Sequence, residues 1–245
     1  QGVELSATVN LSASPFHSDK VSTRVHVSRT AAKILGHPFL LANQVGANDD
    51  LLFDGCSLIA WPDGQVVIAP AWQEGVLIVD LDSPQNCHWV ASDSEDSINI
   101  GSDQIKHLSS DDDGHDDAKH LVEELADAVI TGLSDYCRKS GITSVVLGLS
   151  GGIDSAVAAC VAAAAVGPDN VTAIAMPSRH SSQHSIDDAR YTAKALGLNF
   201  SIREIDDLHK AVESSIGDVL AAGNPVASEN LQARLRAIII MGHAN

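Results

Sequence analysis

The chain has 245 residues, 44% of them hydrophobic, and its 15 basic against 32 acidic side chains leave a net charge of −17. At roughly 150 residues per domain this is one large domain or two, and the apolar content excludes disorder over the whole length. The negative field argues against phosphate backbones and anionic lipid as partners, and 4% aromatics leave little for a base-stacking surface.

No apolar run approaches the ~20 residues a membrane helix needs. No basic start followed by an apolar stretch marks a signal peptide. Cys56, Cys87, Cys137 and Cys160 are scattered without a C-x-x-C pair. That spacing argues against a disulfide framework or zinc site and for a reducing, cytoplasmic setting, each cysteine serving as a small, partly buried hydrophobe.

The first 91 residues read as short strands and turns. Strands are expected at 8–12, 38–43, 57–61, 65–70 and 76–81, with Pro62-Asp63-Gly64 turning a hairpin between two of them. A helix over 21–36 is ended by Gly36 and Pro38. Residues 92–117 hold nine acidic side chains and one Lys, the composition of a solvated linker or surface loop. His107, His115 and His120 in and beside it match no metal-ligand spacing.

After the linker the rhythm changes. A helix over 120–140 is expected to bury Leu121, Leu125, Ala128 and Val129, with Gly141 closing it. Strands at 144–149, 171–176 and 200–205 then alternate with helices at 153–166, 185–196 and 208–222. Alternation of this kind implies a parallel sheet covered on both faces. A last helix opens at Ser228, with Leu231, Leu235, Ile238 and Ile239 turned inward and Asn230 and Arg234 four apart on another face.

The most informative string is Ser150-Gly151-Gly152-Ile153-Asp154-Ser155, directly after the strand ending at Leu149. A buried strand ends, two glycines let the chain turn, and a helix begins whose unpaired N–H groups and positive dipole end face the loop. Ser150 and Ser155 add hydroxyl donors for phosphate oxygens. Asp154 would repel a bare phosphate, so its natural partner there is a Mg²⁺ bridging to one. A plain capped helix start uses the same residues, but the full string between strand and helix favours a nucleotide. No Lys follows the glycines, so this is not a Walker A loop.

The string resembles the S-G-G-x-D-S loop of the ATP pyrophosphatase (PP-loop) family, whose members split ATP between the α and β phosphates and transfer AMP to an acceptor oxygen. Met176-Pro177-Ser178-Arg179-His180-Ser181-Ser182 and the E-N-L-Q-A-R-x-R string beginning at Glu229 resemble elements of the NAD synthetases in that family. Asn10 to Phe16 with Lys20 and Arg24, Asn43-Gln44-Val45-Gly46 and Phe53-Asp54-Gly55-Cys56-Ser57 resemble nitrilase-type amidases. A nitrilase-like glutaminase joined to a PP-loop domain is the arrangement of glutamine-dependent NAD synthetases.

The resemblance implies an α/β fold: the C-terminal part of a nitrilase-like α-β-β-α sandwich over 1–91, the linker over 92–117, and a Rossmann-like PP-loop domain with a parallel sheet over 118–245. It implies ATP at Gly148, Leu149, Ser150, Gly151, Gly152, Ile153, Asp154, Ser155 and Met176, with Mg²⁺ on Asp154. It further implies deamido-NAD⁺ at Asn230 and Arg234, and glutamine at Ser14 and Lys20. The implied reaction is ATP-dependent amidation of deamido-NAD⁺ with ammonia from glutamine, in a homo-oligomer. The glutaminase Cys, Glu and Lys are expected upstream of this sequence, and Cys56 is not expected to replace the nucleophile. Alone, the chain is expected to be inactive for both half-reactions. Another PP-loop amidotransferase and a non-catalytic nucleotide-binding fragment stay open.

Overall fold

The computed structural model describes residues 5–92, 105–109, 118–179, 181–222 and 226–245. His115 and His180 lie outside the described residues. The chain forms two compact units, Gln1–Asp135 and Tyr136–Asn245.

In the first unit, β1 (Thr8–Ser12) and β2 (Phe39–Asn43) run parallel, joined by helix α1 (Lys20–Leu35). Hairpins β3 (Val45–Asn48)/β4 (Leu51–Asp54) and β5 (Leu58–Ala60)/β6 (Val66–Ile68) follow, then β7 (Gly75–Asp80)/β8 (Ser83–Ala91). The main sheet has the order β1-β2-β5-β6-β9, where β9 is Lys106–Leu108. The predicted Pro62-Asp63-Gly64 turn is present: the Gly64 N–H donates to the Trp61 carbonyl at 3.0 Å, and Gly64 has φ +93°.

Because side chains alternate across a strand, β5 and β6 bury both faces. Leu58, Ala60, Val66 and Ile68 face α1, packing with Val25 and Ala32. Ile59, Trp61 and Val67 face the other way, onto Cys87 and Trp89 of β8. Helix α1 turns Arg24, Val25, Ser28 and Ala32 inward and ends at Gly36, whose φ of +73° suits only glycine without strain.

Three expectations change here. Lys106–Leu108 of the acidic segment pairs antiparallel with β6, with Ile105 and Leu108 buried, so part of that segment is sheet rather than solvated linker. Composition hid it because the acidic residues flank the strand. Helix α2 (Ala118–Ser140) buries Ala128 and Asp135, while Leu125 and Val129 are 44% and 54% exposed. Its inward face is set by small residues: a Cβ on Gly132 would sit 3.1 Å from Leu52, and the Asp135 carboxylate accepts the Ala47 N–H at 2.8 Å. Cys160 is exposed, whereas Cys56, Cys87 and Cys137 are buried, and all four thiols are free.

In the second unit β10 (Val145–Gly148), β11 (Val171–Ala175) and β12 (Asn199–Ile202) form a parallel sheet in that order. Helix α3 (Ile153–Val166) and a 3-10 turn, Pro168–Asn170, link the first two strands; α4 (Gln183–Leu196) links the next two. Alanines let α3 lie close to the sheet: Ala159 and Ala162 are buried. Helices α5 (Asp206–Ala222) and α6 (Val226–Ala244) follow. Leu235 is buried, and Ile239 and Ile240 pack on Ile174, Met176 and Ile205. Ile238, expected inward, is 59% exposed because Ile240 takes the inward place.

Candidate nucleotide site

The second unit's site starts where β10 stops. The Leu149 N–H still donates to the Ile174 carbonyl at 2.9 Å, extending the parallel pairing by one residue, and the chain then turns at Gly151 with φ +82°. A Cβ on Gly151 would lie 2.2 Å from the Ser185 carbonyl oxygen in α4. The turn is therefore closed to any other residue twice over, by its dihedral and by the neighbouring backbone.

Two serine hydroxyls shape the loop. The Ser150 N–H donates to Ser155 Oγ at 3.1 Å, the Gly152 N–H donates to Ser150 Oγ at 3.2 Å, and the two hydroxyls are 3.0 Å apart. No side chain caps α3 at Gly152, so its first N–H groups are left for an external acceptor. By contrast α4 is capped, Ser182 Oγ accepting the Ser185 N–H at 3.2 Å.

Beside the loop lies a cavity of about 540 Å³, a size suited to a small-molecule ligand. Gly148, Leu149, Ser150 and Met176 line it, together with Pro177, Ser181, Ser185 and Arg236. Gly151 to Ser155 continue from its rim into α3, with Ile153 and Asp154 exposed. Asn230 and Arg234 are exposed on α6 and do not line the cavity; Arg234 donates to the Asn230 carbonyl at 3.4 Å.

The basic side chain in the wall is Arg236, whose Nε donates to the Met176 carbonyl at 3.0 Å. Arg236 is the last residue of the E-N-L-Q-A-R-x-R string, and the resemblance assigns it no role. Periodicity gives a signal: Arg236 follows the inward Leu235. Ser185 has no such signal, because its closeness to Gly151 arises only from packing.

In the first unit, the Ser14 N–H donates to Asn43 Oδ1 at 2.8 Å, and Asn43 Nδ2 donates to the Gly55 carbonyl at 2.9 Å. Arg24, 4% exposed, meets both oxygens of the fully buried Asp54 at 2.6 Å and the Gly55 carbonyl at 3.0 Å. Lys20 opens α1 and is half-buried. Asn43 of the N-Q-V-G string and Asp54 and Gly55 of the F-D-G string thus join Arg24 and the Ser14 backbone in one polar network.

Cys56 lies between β4 and β5 with φ +47°, and burial, aided by the Asp54 carboxylate, pushes its thiol up to about 12. A raised value means that stability is complete below the unfolded thiol's ordinary range and falls between about 9 and 12, where only the unfolded chain ionises. Iodoacetamide at pH 8 is expected to alkylate the exposed Cys160 and spare Cys56 in the folded chain; peptide mass mapping with Cys56 labelled as fast as Cys160 would contradict this.

Residues 1–87 match the family model described as Carbon-nitrogen hydrolase, and residues 124–245 the one described as NAD synthase. The glutamine-dependent NAD(+) synthetase of Rhodobacter capsulatus is 39% identical over 234 residues, covering 95% of this chain and 39% of that protein. That of Synechocystis is 36% identical over 247 residues, covering 100% and 40%.

Among solved structures, the Acinetobacter baumannii glutamine-dependent NAD+ synthetase in complex with adenosine diphosphate superposes with a TM-score of 0.78 at 29% identity, over 98% of this chain and 42% of that one. The chain spans about two fifths of the length of the relatives it matches. Its first unit has the nitrilase-like fold and its second the Rossmann-like PP-loop fold. A carbon–nitrogen hydrolase segment followed by a NAD synthase segment, with whole-chain likeness to those enzymes, places this chain in the glutamine-dependent NAD(+) synthetase family.

Proposed function

We propose that this chain serves the ATP-dependent amidation of deamido-NAD⁺ to NAD⁺, using ammonia released from glutamine. The observation that supports it most is the uncapped start of α3, opening off β10 at a turn only glycine can make, beside the cavity of about 540 Å³. ATP is taken at Gly148 to Ser155 and Met176, its adenosine in the cavity and its phosphates at the loop. Deamido-NAD⁺ is held by Asn230 and Arg234, and glutamine by Ser14 and Lys20.

The nicotinate carboxylate attacks the α-phosphorus of ATP, forming an acyl adenylate and releasing pyrophosphate. Ammonia then attacks the acyl carbon, AMP leaves, and the amide of NAD⁺ remains. The α3 N–H groups and the Ser150 and Ser155 hydroxyls stabilise the departing pyrophosphate, because preoriented dipoles need no reorganisation as charge develops. The two hydroxyls exchange their mutual contact for phosphate oxygens.

Among the described residues no group of three or more His, Cys, Asp and Glu could hold a metal. One exposed carboxylate at a phosphate loop nevertheless fits Mg²⁺, which commonly takes one or two carboxylates plus substrate phosphates. Asp154 would hold the ion, which when bound neutralises phosphate charge.

We assign the glutaminase portion to residues 1–91 and the synthetase portion to 118–245, with 92–117 joining them; the matched segments, 1–87 and 124–245, support this, although β9 of the joining stretch belongs to the first unit's sheet and the compact units divide later, after Asp135. We also place the enzyme in the cytoplasm as a homo-oligomer. No helix among the described residues is long and apolar enough to cross a membrane, and four free thiols suit a reducing compartment.

The test is pyrophosphate release from Mg-ATP by the polypeptide as its cell makes it, with and without deamido-NAD⁺. Release that requires deamido-NAD⁺ is expected, and Asp154→Asn should slow it about 100-fold. Release equally fast without that acceptor, or an unaffected Asp154 variant, refutes the assignment.

A further inference from the structure

Among the buried polar side chains, His209 has no part in the chemistry above. It is 4% exposed in the first turns of α5, and its Nδ1 lies 3.1 Å from Nη2 of Arg179. Glu213 Oε1 is 3.8 Å from the same Nδ1, beyond hydrogen-bond reach; arginine can only donate, so in this contact Nδ1 is the acceptor and the ring's N–H is on Nε2. Nε2 is buried without a hydrogen-bond partner. Leaving a donor unsatisfied costs free energy, which marks this ring as serving its Nδ1 contact.

Arg179 sits in the segment 177–182 between β11 and α4, whose Pro177 and Ser181 line the cavity. The start of α5 grips this segment. The Arg179 N–H donates to Asp206 Oδ1 at 2.9 Å, its Nη2 donates to Glu213 Oε2 at 3.2 Å, and the Ile205 N–H donates to the Pro177 carbonyl at 3.1 Å. Arg179 and Glu213 are 38% and 40% exposed, and Arg179 Nε reaches the partly exposed Asp206 carboxylate only at 3.7 Å, so both ion pairs are weak and screened. The buried imidazole is therefore the member that fixes the direction of the guanidinium.

We propose that His209 is a positioning residue for the nucleotide site, holding Pro177, Ser178 and Arg179, through the Arg179 side chain, in the shape that completes the cavity wall. This rests on the nucleotide reading of that cavity. A wall ordered before binding spares the ligand the entropy of ordering it.

Calorimetry with ATP, together with amide exchange of the nucleotide-free chain, tests the idea. His209→Leu is expected to raise the ATP dissociation constant about 10-fold, the loss of one charge-assisted hydrogen bond. It should also speed exchange at Ser178, Arg179, Ser181 and Ser182. His209→Asn, whose amide oxygen can accept near the Nδ1 position, is expected to restore both. Arg179→Met should weaken ATP about as much as His209→Leu, and the double variant no further. Unchanged affinity and exchange in His209→Leu overturn the proposal, as does failure of His209→Asn to recover either. If the exchange difference appears but the unaltered chain binds no ATP, the positioning role stands and the nucleotide reading falls.

Discussion

Gly151→Ala is expected to abolish ATP binding and to lower the unfolding free energy of the second unit by about 3 kcal/mol. The dihedral of +82° disfavours any side chain, and the added Cβ would stand 2.2 Å from a main-chain oxygen that cannot rotate away. Either the loop or the start of α4 must move. Gly152→Ala is the matched control: its φ of −87° suits any residue, and its Cβ would meet only the Ser150 hydroxyl, at 3.3 Å. That change should cost under about 1 kcal/mol. Denaturant melts and calorimetry on both variants check the contrast, and equal losses would mean that the Ser185 contact does not constrain the loop.

The second large effect belongs to Arg24 and Asp54. Arg24→Met leaves a carboxylate with no exposed surface uncompensated, and is expected to destabilise the first unit by about 3–5 kcal/mol. Coulombic attraction at 2.6 Å is largely cancelled by the cost of removing both charges from water, so the native pair contributes much less than its disruption costs. Replacing both together, Arg24→Met with Asp54→Leu, should therefore cost less than Arg24→Met alone. Urea melts of the unaltered chain, Arg24→Met, Asp54→Leu and the double variant form the double-mutant cycle. An additive pair of losses would show that the two residues act independently.

Much of the fold was legible in the sequence because local and long-range signals agree. β1 and α3 occupy the predicted residues: the first is a short β-type run, and the second starts where a strand gives way to two glycines. Elements were lost where they are short or polar. Ser83–Ala91 begins Ser-Pro-Gln-Asn, yet pairs with β7 because Cys87 and Trp89 reach the core. Facing was lost where small residues pack, as at Ala128 and Gly132, since a hydrophobic pattern weights Leu125 and Val129 above them. The loop Ser150–Ser155 was legible as a contiguous string. Arg236, Ser185 and His209 join its neighbourhood only through tertiary packing, which no local pattern encodes.

Strand β9 carries a consequence for behaviour at high concentration. Without it, β6, whose Val66, Val67 and Ile68 are all buried, would form the sheet's open edge with unpaired N–H and C=O groups. Such an edge templates pairing with a second molecule. β9 satisfies it, then presents its own outer edge as a three-residue strand containing Lys106 and bracketed in sequence by Asp103 and the Asp111 to Asp113 tract. Shortness and charge both discourage a further strand from adding. β9, set in a stretch that composition alone marks as expendable, thus covers a hydrophobic sheet edge, and deleting it is expected to leave an aggregation-prone one.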